Sequence, residues 1–375
     1  MRPWLSDFGA CFTAKDWRGA VTCAAAGLLQ LGELGQAHRP ELVGIYLQSL
    51  IRSRDRYRSQ RLCVVGQDAG EARVVVIGSE LSHNAAGRAH TLMLAYQHLG
   101  YAVRLLGCHV PQGGYRRQLW EPLRSLDLDV HAFVLEDHSR LFAEAWKLVQ
   151  NHPADLVHLS KPRLPAVVFG LLYKLLWGAS VLMDIDDEEL CLVGEQEPLL
   201  LDQLKRQHRG LPPPEQVLGP RWTQLAVTLG QRFDGITVAN RPLQQRYGGV
   251  VIPHARDPDH LQPATPLKKR YARRRYGIPE QAKVVLFFGT PRRHKGLLQV
   301  AAAVAALPEQ LQPLFLVVGA IPDTPLKAEL RACLPAKRLR LLGNQPFDRA
   351  PDILALADLE VLLSGGEVAA FQSPA

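Results

Sequence analysis

The sequence is poor in several things that would have assigned it quickly. Six cysteines occur in 375 residues, at 11, 23, 63, 108, 191 and 333, and no two form a C-x-x-C pair. That irregular spacing excludes a zinc ribbon or a disulfide framework and fits a reducing cytosol. There is no G-x-G-x-x-G, so the dinucleotide fingerprint of an NAD-dependent enzyme is missing. The N-terminus, MRPWLSDFGACFTAKDW, lacks a long apolar core and an A-x-A site, and no secretory leader is expected. Charged residues make up 21% and apolar residues 47%, and 44 Lys+Arg against 36 Asp+Glu leave a net charge of only +8. These values exclude disorder, collagen and coiled coil. One long hydrophobic run occurs, LPAVVFGLLYKLLWGASVLM at 164–183. It has the length a bilayer needs, but Lys174 sits inside it, Gly178 and Ser180 interrupt it, and carboxylates follow at once. The run reads instead as a buried helix over 166–177, a turn at Gly178 and a buried strand over 180–185, the pattern of a parallel sheet covered on both faces.

At about 150 residues per domain the length predicts two domains. Residues 1–62 read as a helical extension and linker, with apolar residues at helical spacing and an Arg-rich end at 52–61; Trp17, Ala20, Leu28 and Tyr46 loosely resemble a single tetratricopeptide unit. Over 63–262, apolar strands (RVVVIGSE, YAVRLLGC, FVLED, DLVHLS, SVLMDID, GITVAN, VVIPHA) alternate with amphipathic helices. Residues 258–282 are polar, proline-bearing and strongly basic, the domain boundary is expected near 262, and the alternation resumes with AKVVLFFG, LFLVVG, RLRLLG and LEVLLS, in a domain over 263–375. The fold class expected is α/β, as two tandem Rossmann-like domains with right-handed crossovers and a ligand cleft between them. The second domain is expected to be incomplete, with four strands and no closing helix.

Two loops carry chemistry. FFGTPRRHKGLL (287–298) runs from a buried strand through Arg292, Arg293 and Lys295 to Gly296 at a helix start. Free amides, a positive dipole end and bidentate donors in one loop favour phosphate. SHNAAGRAHTL (82–92) is a second strand-to-helix loop, with Gly87 for close backbone approach and Arg88 for charge. MDIDDEEL (183–190) places five carboxylates in six positions. Asp184-x-Asp186 could hold a metal, the cluster could be an acid-rich helix start, or Asp186 or Asp187 could orient an acceptor hydroxyl.

The order of FFGTPRRHKGLL, LFLVVG, RLRLLGNQPF and ALADLEVLLS resembles the C-terminal half of the family 4 (group 1) glycosyltransferases of GT-B fold. HNAAGRAHTLMLAYQHLGYAV and the ITVAN/VVIPHARD pair are similar to that family's acceptor-side domain, so the resemblance covers roughly 70–375. It implies a hexosyltransferase that takes a nucleoside diphosphate sugar, retains anomeric configuration and needs neither metal nor other cofactor. It implies donor contacts at Gly289, Thr290, Arg292, Arg293, Lys295, Gly296, Gly319, Gly343 and Asn344, and acceptor-side contacts at Asn84, Gly87, Arg88 and Lys161. The catalytic set implied is Ser160, His158, Asp186 and Glu367. The chain departs from the family pattern in two places. Thr290 stands where an Arg usually follows the strand-end Gly, and the second Glu of the E-x7-E motif that begins at Glu367 would fall on Ala375. The resemblance thus implies a chain cut short at its C-terminus.

The partners expected are a nucleotide sugar and a saccharide, lipid or protein acceptor, with no nucleic acid. The location expected is the cytoplasm, with peripheral contact at the inner face of a membrane through the six cations of KKRYARRR (268–275). The competing expectation is a non-catalytic module of the same fold that binds a sugar nucleotide or a partner.

Overall fold

The computed structural model describes residues 10, 14, 72–111, 118–125, 128–200, 203, 206, 217–255, 261–321 and 324–363. All but two residues of the expected helical extension lie outside this set, as does Glu367. The chain divides into two compact units, Met1–Pro253 and His254–Ala375, where the sequence places the join near 262.

In the first unit the elements run β1 (Arg73–Gly78), α1 (Gly87–His98), β2 (Ala102–His109), α2 (Glu121–Ser125), β3 (Val130–Val134), α3 (Leu141–Asn151), β4 (Leu156–Ser160) and α4 (Leu164–Trp177). They continue with β5 (Ser180–Ile185), α5 (Glu189–Leu192), α6 (Pro220–Gly230), β6 (Gly235–Val238), α7 (Arg241–Tyr247) and β7 (Val250–Val251). The strands form one parallel sheet in the order β3-β2-β1-β4-β5-β6-β7. The long apolar run folds as its sequence predicts. A proline in its first turn starts α4, Gly178 ends the helix at φ 59°, and β5 follows after one residue. Phe169, Leu172 and Tyr173 are fully buried, each stabilising the fold by about 1.5–3 kcal/mol. No helix among the described residues is long and apolar enough to cross a membrane.

In the second unit the elements are α8 (Pro266–Arg275), β8 (Val284–Phe288), α9 (Leu297–Ala305), β9 (Leu314–Val318), α10 (Thr324–Cys333), β10 (Leu339–Leu342), α11 (Ala350–Leu356) and β11 (Leu359–Glu360). The parallel sheet runs β10-β9-β8-β11. The basic stretch, for which the sequence predicts no element, forms α8. The Thr265 hydroxyl accepts from the Lys268 amide and Pro266 opens α8, a capped helix start inside the charge run. Its cations are largely spent on the fold. Arg273 is buried and donates to the Leu356 carbonyl and Asp358, Lys269 pairs with Asp358, and Arg270 pairs with Glu280.

In both sheets the strand order reverses beside the first strand, between β1 and β4 in one and between β8 and β11 in the other. The crevice beyond the carboxyl ends of such strands is where open α/β sheets take ligands. The candidate residues sit at these ends.

Candidate functional site

The carboxyl end of the first sheet holds two groups of buried charge. The first is closed. Arg88, on the first turn of α1, donates Nε and Nη2 to the two oxygens of Asp184 on β5, each at 2.8 Å. Its remaining reach is spent on the Ile252 carbonyl at 2.7 Å and the Pro253 carbonyl at 3.2 Å, just beyond β7. Asp184 also accepts from the Thr237 hydroxyl at 2.6 Å. That hydroxyl's one proton is thereby used, so His158 Nε2, 3.0 Å away, carries a proton and donates to Thr237. His158 Nδ1 then accepts from the Tyr96 hydroxyl at 3.1 Å. Burial, which the Asp184 charge only partly offsets, pushes His158 down to about 4, so its ring is neutral. Both ring nitrogens are occupied and the residue is 2% exposed. His158 thus packs inside the sheet instead of facing a substrate, and Arg88 is committed to Asp184 and the exit of β7.

The second group lies at the ends of β4 and β5. Ser160 closes β4 with its hydroxyl buried and without a hydrogen-bond partner among the described residues. Lys161 follows at φ 71°, the one positive φ of a non-glycine among the described residues. Such a backbone costs about 1–3 kcal/mol and persists where the surroundings enforce it. Here the Lys161 amide donates to the Asp184 carbonyl and its carbonyl accepts from the Arg163 amide, while Lys161 Nζ lies 2.8 Å from Asp186, 2.7 Å from Asp187 and 3.4 Å from Glu189. Arg163 bonds the other oxygen of Glu189 at 2.6 Å. Burial works against the Lys161 charge, but the three carboxylates outweigh it and hold its pKa well above the usual lysine range. Burial pushes Asp186 above the ordinary carboxylate range, against the pull of Lys161. One oxygen from each of Asp186, Asp187 and Glu189 falls within 4.8 Å of the others, close enough to share a metal ion. The ammonium occupies their centre.

Beside these groups, Glu80 follows β1 and accepts from the amides of Ser82 and Val110. The Asn84 side chain lies 3.1 Å from His83 Nδ1 in the turn before α1. Gly87 opens α1 at φ −58°, and a Cβ there would sit in ordinary contact 3.7 Å from Trp120, so neither conformation nor space requires glycine.

In the second unit β8 ends at Phe288, and the chain passes Gly289, Thr290, Pro291 and Arg292 into a short turn, Arg293–Lys295, before α9. Gly296 has φ 74°, and a Cβ on it would lie 2.1 Å from the Leu363 carbonyl oxygen just beyond β11. This packing requires glycine and draws the α9 N-terminus against the β8/β11 reversal. Gly319, after β9, meets the Gly289 carbonyl in the same way, with a Cβ at 2.0 Å. Arg292 is exposed and makes no ion pair among the described residues, whereas Arg293 is tied to Glu329 at 3.1 Å. Partial burial lowers His294 below the usual histidine range, with the Lys295 and Arg292 charges adding to it. The turn therefore concentrates positive potential where α9 presents its first amides. Asn344 fastens the loop after β10 by accepting from the Ala320 amide at 2.8 Å, and Gly343 beside it has open space.

Ten of the predicted residues gather in three places. Gly289, Thr290, Arg292, Lys295 and Gly296 share one loop; Ser160, Lys161 and Asp186 share one rim; His158 and Arg88 belong to the closed network behind it. Glu189 and Glu80 are the residues that sequence reasoning passed over. Each is a carboxylate just past a buried strand, a position where charge needs a partner.

Residues 268–371 match the family model described as glycosyl transferases group 1. Among curated proteins none matches the chain. Solved structures resemble it at low identity. A glycosyltransferase from Rickettsia africae aligns at 15% identity over 78% of this chain and 73% of its own, with a TM-score of 0.54. Anabaena HepE in complex with UDP-glucose gives 16% identity, 77% and 73% coverage and a TM-score of 0.54. The catalytic domain of starch synthase IV from Arabidopsis thaliana, bound to ADP and acarbose, gives 15%, 77% of each chain and 0.53. The fold is that of the GT-B glycosyltransferases, and within it residues 268–371 carry the match to glycosyl transferases of group 1.

Proposed function

We propose that this chain transfers a glycosyl group from a nucleoside diphosphate sugar to a hydroxyl acceptor, with retention and without a metal. The observation that carries the reading is the Gly289–Leu297 turn. It lies inside the matched segment and brings Arg292, Lys295 and the α9 amides to the β8/β11 reversal. The ligands of the structural neighbours, UDP-glucose and ADP, support the donor class. As the bond from the anomeric carbon to the phosphate oxygen breaks, negative charge grows on the diphosphate. Lys295, Arg292 and the α9 dipole would stabilise that charge. The acceptor oxygen bonds to the anomeric carbon and its proton passes to the departing phosphate oxygen. Ser160 and the Asp186/Asp187 rim would orient the acceptor hydroxyl.

Calorimetry with UDP and GDP tests the donor site. Lys295→Ala and Arg292→Ala each remove a charge-assisted contact worth about 1.5–3 kcal/mol, an expected ten- to hundredfold loss of affinity. Unchanged affinity in both variants would move the diphosphate elsewhere. Donor binding without transfer across a panel of acceptors would leave the chain a sugar-nucleotide-binding module.

A further inference from the structure

The rim at the ends of β4 and β5 is a set of three carboxylates that would repel one another if left alone, two of them fully or almost fully buried. Asp186 is 6% exposed, Glu189 0% and Asp187 31%. Such a trio has the oxygen ligands and the spacing that a hard divalent cation can use. Here the centre is filled from within. An ammonium has three N–H donors, and Lys161 Nζ faces three carboxylate oxygens, at 2.8, 2.7 and 3.4 Å. Two donors are spent on Asp186 and Asp187, and the contact with Glu189 is an ion pair without a hydrogen bond. The second observation is the Glu189 Oε1, buried on the rim 3.4 Å from the Lys161 ammonium and without a hydrogen-bond partner among the described residues.

We propose that the Lys161 ammonium is a built-in counter-cation, a positioning residue that takes the place of a divalent ion among Asp186, Asp187 and Glu189 and presents Asp187 to an acceptor hydroxyl. Asp187 is singled out because it is the most exposed of the three. Asp186 and Glu189 stand behind it and fix the lysine, and Arg163 fixes Glu189 from the far side. The part concerning the acceptor rests on the glycosyl-transfer reading; the part concerning the cation does not.

The test uses the full chain with Lys161→Ala, Lys161→Arg, Asp187→Asn and the double variant Lys161→Met/Asp186→Asn. Calorimetry and thermal unfolding are run with millimolar Mg²⁺, Mn²⁺ and Ca²⁺. The wild-type protein should show no divalent-dependent rise in Tm. Lys161→Ala should melt lower and recover by about 3 °C or more when the emptied rim takes up an ion. The double variant removes an ammonium and a carboxylate together. It should therefore fold without a divalent ion and respond to none, which keeps the idea testable if Lys161→Ala alone does not fold. In transfer assays Lys161→Ala and Asp187→Asn should lose at least tenfold in kcat with the donor KM nearly unchanged, and Lys161→Arg should restore part of the loss. Equal stabilisation of wild-type protein by divalent ions, a Lys161→Ala protein indifferent to them, or full turnover in Asp187→Asn would each overturn the proposal. If no protein in the series transfers sugar, the glycosyl-transfer reading fails while calorimetry still decides whether Lys161 stands in for a cation.

Discussion

Removing Arg88 should cost the first unit a large share of its stability. Its side chain is 1% exposed and that of Asp184 is 0%, so neither charge has water to fall back on. Arg88→Ala leaves the Asp184 carboxylate buried with the Thr237 hydroxyl as its remaining bonded partner, and strips the Ile252 and Pro253 carbonyls of a donor. Breaking a buried pair from one side costs about 3–5 kcal/mol, because the surviving ion keeps its desolvation penalty. A domain's whole stability is about 5–15 kcal/mol, so the variant should lie near the edge of folding. Tryptophan emission isolates the effect: all six tryptophans, at 4, 17, 120, 146, 177 and 222, precede Pro253. Urea unfolding read at the tryptophans should shift strongly in Arg88→Ala. The paired replacement Arg88→Met/Asp184→Leu removes both charges and should recover most of the loss. A shift in Arg88→Ala below about 1 kcal/mol would refute the reasoning, because a buried charge is not abandoned so cheaply. So would a double variant less stable than either single one.

Other outcomes follow from the same geometry. His158 titrates near 4 when folded against 6.5 unfolded, so the unfolded chain binds a proton first; stability should be full above pH about 6.5 and fall as pH drops toward 4, by about 3 kcal/mol in total, and His158→Gln should flatten that window in urea titrations. Gly296→Ala places a Cβ 2.1 Å from the Leu363 carbonyl oxygen on a φ of 74°, and should lower Tm and weaken UDP binding together; a neutral effect on both would show that the turn yields.

The alternation of apolar strands and helices was legible because a covered parallel sheet imposes it on every segment. The 164–183 run was legible for the same reason: Lys174 and Gly178 mark where a helix needs a polar edge and an end. The anion-favouring turn could be read locally, since its cations and glycines are neighbours in sequence. The helix at 266–275 was passed over because a high density of charge hid an N-cap threonine followed by proline, a signal of a helix start. The network around Arg88 was out of reach in a different way. Arg88 and Asp184 stand 96 positions apart, and Asp184 looked like one more member of the acidic cluster that follows it. Spacing along a strand says which face a carboxylate takes; it does not say which distant cation crosses the sheet to meet it.

That distinction divides the two buried cations of the first unit by role. Arg88 has its guanidinium spread over Asp184 and two carbonyls, and reaches from α1 to β5 and to the residues after β7. A rigid fork with its donors committed binds elements to one another. Lys161 is a point charge on a flexible stem, pinned by three carboxylates that all come from one short stretch after β5. It joins β4 to β5 and no more. The closed network therefore fixes the frame from α1 to β7, while the lysine sets the geometry of a small rim carried on that frame. Loss of the frame should appear as unfolding. Loss of the rim should appear as misplacement, and misplacement by an ångström costs a transfer reaction more in rate than in binding. Stability measurements on Arg88 and the kcat-against-KM split on Lys161 thus read two separable functions of buried charge at one end of the same sheet.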